Sequence, residues 1–65
     1  MAEVRIENHG SITLIIPAGD LVYDWLRENV EAPPWAWLGR SLTAETNSAQ
    51  AVIEALLGEF DVVFA

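Results

Sequence analysis

The hydrophobic period of the chain changes at Pro17. Before it, Glu3-Val4-Arg5-Ile6-Glu7 alternates polar and apolar, the period-2 pattern of a half-buried strand. Ile12-Thr13-Leu14-Ile15-Ile16 is more apolar and reads as a second, more central strand. Asn8-His9-Gly10-Ser11 between them is turn chemistry with a Gly available for positive φ, so the two runs read as a β-hairpin. Pro17-Ala18-Gly19 is expected to break the second strand. From Asp20 the period is helical. At about 100° per residue, Leu21, Val22, Trp25, Leu26 and Val30 share one face. This helix is expected to run to about Val30 and to stop at Ala32-Pro33-Pro34, because neither proline can continue it.

A third strand is expected from about Trp37 to Thr43, with Gly39 as the place for a bulge. A second helix follows. Asn47 and Gln50 have the spacing of a capping box, with Thr46 as a competing cap. Its apolar face is Ala49, Val52, Ile53, Leu56 and Leu57, and Gly58 is a natural C-terminal stop. Asp61-Val62-Val63-Phe64-Ala65 reads as a last strand. The order β-β-α-β-α-β predicts a two-layer α+β domain over residues 1–65, with about four mainly antiparallel strands and both helices on one face of the sheet. At 65 residues without cysteine, neither a disulfide nor a thiolate metal site can help. Stability must come from the core or from a partner.

Charge narrows the function classes. Ten acids face three arginines and no lysine, for a formal net charge of −7. Such a balance disfavours direct nucleic-acid binding and anionic membranes, and it favours a partner with a basic groove. The N-terminus has no basic and apolar leader, and no apolar stretch approaches the roughly 20 residues that span a bilayer. A cytoplasmic protein is expected.

Catalytic constellations are lacking. His9 is the single histidine and sits in turn sequence, where a local hydrogen bond is the ordinary role. Ser11, Ser41 and Ser48 lie in no nucleophile elbow, the four glycines are isolated, and no calcium-loop or zinc spacing occurs. No enzyme activity, cofactor or metal is expected. Trp25 reads as core. Trp35 and Trp37, on one face of the expected strand, read as the cap of the core, with an aromatic anchor for a partner as the alternative.

The placement of the acids is more telling than their number. Asp20, Asp24 and Glu28 repeat every four residues on the first helix, Glu31 would continue the stripe, and only Arg27 interrupts it. Their projected angles span about 80°, opposite the Trp25 face, at roughly 6 Å per step along the axis. Glu3 and Glu7 add a second group on the outer face of the first strand, with Arg5 between them. A row of carboxylates at this pitch can stand in for phosphates and compete for the Lys and Arg of a nucleic-acid groove.

Asn8-His9-Gly10-Ser11-Ile12, Trp25-Leu26-Arg27-Glu28-Asn29-Val30 and Trp37-Leu38-Gly39-Arg40-Ser41-Leu42 resemble short proteins carried by phages and mobile elements of proteobacteria. In size and acidity the chain is similar to anti-CRISPR proteins directed at type I systems, the type I-C group among them. That resemblance implies a monomeric or weakly dimeric inhibitor in the bacterial host cytoplasm. It would occupy the basic DNA-binding groove of a Cascade surveillance complex by DNA mimicry, with Asp20, Asp24, Glu28, Glu31, Glu3 and Glu7 as the partner-binding set. The alternative is an antitoxin-like or regulatory adaptor that binds one protein through the Trp35/Trp37 region.

Overall fold

The N-terminal hairpin sets the frame of the computed structural model, which describes residues 2–65. Strands β1 (Glu3–His9) and β2 (Ile12–Ala18) pair antiparallel around a two-residue turn, Gly10-Ser11. Gly10 has φ 80° and Ser11 does not share the positive φ, the arrangement of a hairpin turn with glycine at its first central position. Helix α1 (Asp20–Asn29) follows, then a 3₁₀ turn at Pro34–Ala36, the short strand β3 (Trp37–Leu38), β4 (Ser41–Glu45), helix α2 (Thr46–Glu59) and β5 (Asp61–Phe64). The sheet is mixed, in the order β3-β4-β2-β1-β5. β5 lies parallel to β1, from Glu3↔Asp61 to Ile6↔Phe64. A parallel pairing needs a long crossover connection, and here α2 supplies it between β4 and β5.

The α+β class is as expected, and five strands replace four. The single strand expected from Trp37 to Thr43 is a second tight hairpin. Gly39 is its turn rather than a bulge, with φ 61° and Arg40 following in an ordinary conformation. Pro17 does not end β2, which continues to Ala18. Pairing of β2 with β4 stops at Ile15↔Leu42, so the missing N–H of Pro17 lies past the last ladder bond on that side. The capping box is absent. α2 starts at Thr46, whose hydroxyl donates to Gly10 O at 2.6 Å while its N–H donates to Ser11 O at 2.8 Å. The helix therefore begins where the first hairpin turn holds it. Gly58 lies inside α2 without a positive φ, and the helix closes one residue later, Phe60 N–H reaching Leu56 O.

One face of the sheet carries the core. Val4, Ile6, Ile15 and Leu42 of the strands meet Val22 and Leu26 of α1 and Leu56 of α2. Both helices thus cover the same face. Trp25 packs against this core and meets Phe60 edge-on at 6.0 Å, tying α1 to the start of β5. Leu21 and Leu57, expected on the core faces, are exposed instead, at 71% and 54%. Each helix buries a stripe narrower than its apolar pattern, because the sheet is only five short strands wide. The one buried polar side chain among the described residues, Thr13, is satisfied by Thr46 at 3.0 Å and Asn8 at 3.4 Å.

Candidate interaction surfaces

α1 presents its acids away from the core. Val22 and Leu26 are buried, which turns Asp20, Asp24 and Glu28 to solvent. Glu31 lies beyond the helix end, also exposed, in the segment before the prolines. Asp20 differs from the others. It occupies the first helical turn, where a carboxylate complements the helix dipole, and it accepts a hydrogen bond from the Arg40 guanidinium. Arg40 also lies over the Tyr23 ring at 4.2 Å, and Arg27 over Trp37 at 5.2 Å. Tyr23 and Trp37 meet edge to face at 5.5 Å. Two of the three arginines are thereby drawn to a cation–aromatic cluster beside the acidic row. The ion pairs among the described residues are Arg40–Asp20, Arg5–Glu7 and His9–Glu7, so Asp24, Glu28 and Glu31 keep their charge uncompensated.

Glu3 and Glu7 are not part of this surface. Val4 and Ile6 point into the core, so Glu3, Arg5 and Glu7 point to the opposite, helix-free face. The structure therefore divides the six acids into an α1 set and a β1 set on opposite sides of the molecule. Arg5 approaches Glu7 at 4.0 Å, and His9 Nε2 lies 3.2 Å from the other Glu7 oxygen. His9 is the last residue of β1 rather than a turn residue, and its contact is the local one expected of it. No grouping of His, Asp and Glu able to hold a metal occurs among the described residues.

The tryptophan pair separates. Trp37 is partly buried in β3 against Tyr23 and Arg27. Trp35 stands in the 3₁₀ turn, 82% exposed, at the mouth of a groove of about 560 Å³ lined by Val30, Pro33, Thr43 and Val52. The shared face expected for the two residues does not exist, because the turn at Pro34–Ala36 rotates Trp35 outward before β3 begins. The roles of Tyr23 and Arg40 were not legible beforehand: Arg40 reaches α1 only because the Gly39 turn folds it back, across 20 residues of sequence. Comparison of the chain with known protein families, with curated proteins and with solved structures returned no match. No described helix is long and apolar enough to cross a membrane.

Proposed function

We propose that this protein is a stoichiometric inhibitor that occupies a basic nucleic-acid groove of a partner protein with the outer face of α1. The observation that carries the reading is the exposed, uncompensated run Asp24, Glu28, Glu31 beside a core-anchored helix. Selection for helix stability alone would have interspersed lysines among these acids. The partner we propose, on the resemblance to type I anti-CRISPR proteins, is a Cascade surveillance complex with a basic target-DNA groove. Binding would block DNA access by competition for the cations of that groove.

The test is a gel-shift assay of Cascade on its target DNA, with the protein added before the DNA. The wild type is expected to abolish the shift. Asp24→Lys/Glu28→Lys is expected to weaken inhibition by about tenfold or more, since like charges set face to face cost several kcal/mol. Asp20 is left unchanged because it holds Arg40. Full inhibition by the folded double variant, or no inhibition by the wild type, refutes the reading. The exposure of Trp35 supports a second reading, an adaptor that anchors one partner through this side chain and its groove.

A further inference from the structure

The helix-free face of the sheet carries a different surface. β1 alternates as a strand with one wet face should, but β2 does not. Opposite its core-side residues Thr13, Ile15 and Pro17, it sets Ile12, Leu14 and Ile16 in one row. Val63 extends the row beyond Arg5 on the β5 side, and Ile12 and Val63 are 41% and 40% exposed. Carboxylates rim this apolar strip. Glu7 is paired with Leu14, Glu45 with Ile12 and Glu3 with Ala18, and Asp61 stands beside Glu3. Among the described residues the basic groups on this face are Arg5 and, where protonated, His9, and both lie against Glu7.

The size and charge of this face select its occupant. With strands about 4.8 Å apart and a rise of about 3.3 Å per residue, the face covers roughly 400 Å². That is half of the approximately 800 Å² each partner gives to a standard interface, and it suits one helix better than a globular domain. Residues two apart along β2 are about 6.6 Å apart, close to the roughly 6 Å between i and i+4 on a helix. A second copy of this chain would bring the same four carboxylates against their equivalents, and nucleic acid or an anionic membrane meets the same repulsion. We infer that this face docks an amphipathic helix of a partner protein, apolar toward Ile12, Leu14 and Ile16 and flanked by Lys or Arg toward Glu3, Glu7, Glu45 and Asp61.

The inference is independent of the α1 reading, and its test reads a different face. The isotope-labelled protein is titrated with a synthetic helical peptide of about 14 residues, roughly 21 Å long, with Leu on one side and Lys on the other. Amide shifts are expected along β1, β2 and β5. Ile12→Glu is expected to weaken binding by about tenfold or more, while Glu54→Lys on the exposed side of α2 changes it less than about twofold. Should Ile12→Glu fail to fold, Val63→Ser carries the comparison, and the wild-type shift map depends on no variant. Shifts confined to α1 overturn the inference, as does equal binding of a peptide with its Leu residues scrambled around the helix. A concentration-dependent dimer that the peptide disrupts also overturns it, by making a second copy the occupant.

Discussion

Replacing each of the two neighbouring tryptophans by alanine should give opposite results. Trp37 is partly buried against the core, meets Tyr23 edge-on at 5.5 Å and lies under Arg27 at 5.2 Å. Truncating a fully buried Trp costs about 3–5 kcal/mol. Trp37 keeps some exposure, which lowers that figure, but it also loses an aromatic pair of about 0.5–1.5 kcal/mol and a cation–π contact of about 0.5–1 kcal/mol. The expected loss for Trp37→Ala is about 2–4 kcal/mol, against a total of roughly 3–10 kcal/mol for a domain of this length. At about 4–8 °C per kcal/mol, that lowers Tm by roughly 8–32 °C. Trp35 is 82% exposed, so Trp35→Ala should stay within about 0.5 kcal/mol of the wild type. Thermal unfolding followed by far-ultraviolet circular dichroism measures both without relying on tryptophan emission. Equal destabilisation by the two changes would refute the placement of Trp35 outside the core. Given a stable Trp35→Ala variant, loss of partner binding would favour the adaptor reading, whereas retained inhibition of Cascade would favour the α1 row.

Two further substitutions test the local geometry. Gly58 lies inside α2 with open space where a Cβ would stand, so Gly58→Ala should raise stability by about 0.5–1 kcal/mol in a denaturant titration; a loss would mean that the helix ends at Gly58. A double-mutant cycle of Arg40→Ala with Asp20→Asn should return a coupling of about 0.2–1 kcal/mol that shrinks with added salt, and zero coupling at low salt would dissolve the link between the Gly39 turn and α1.

Periodicity carried the first half of the fold. The Val4/Ile6 alternation and the Val22/Leu26 spacing each have a single periodic reading, and both fall where they were expected. The errors arose where one residue type serves two geometries. Gly39 suits a bulge or a turn, Gly58 a cap or a tolerated interior site, and Pro17 a strand end or a position past a neighbour's reach. Pairing partners decide each case, and these are set by tertiary contacts that local propensity does not encode. The acidic row on α1 was legible because its period matches the helix. Its division from Glu3 and Glu7 was not, since that depends on which face of the sheet the helices cover.

The energetics of α1 explain how a helix can keep such a row. Asp20/Asp24 and Asp24/Glu28 are two like-charge i,i+4 pairs, each unfavourable by about 0.2–0.5 kcal/mol. Val22 and Leu26, both 0% exposed, return about 1.5–3 kcal/mol each on burial. Burial therefore outweighs repulsion several-fold, and the helix does not depend on its surface charges for its existence. A ten-residue peptide of the same sequence, deprived of the sheet, falls below the length at which helices persist in water. Asp20 is the exception within the row, because the N-terminal dipole and Arg40 both act on it. A lysine there would oppose the dipole by about 0.3–1 kcal/mol and meet the Arg40 guanidinium as well. With both Asp24 and Glu28 reversed, the lysine at 24 gains Asp20 as an i,i+4 partner, and the lysine pair at 24 and 28 only repeats the like-charge pair it replaces, so the helix loses nothing. Charge reversal at Asp24 and Glu28 thus isolates recognition from folding, and reversal at Asp20 does not.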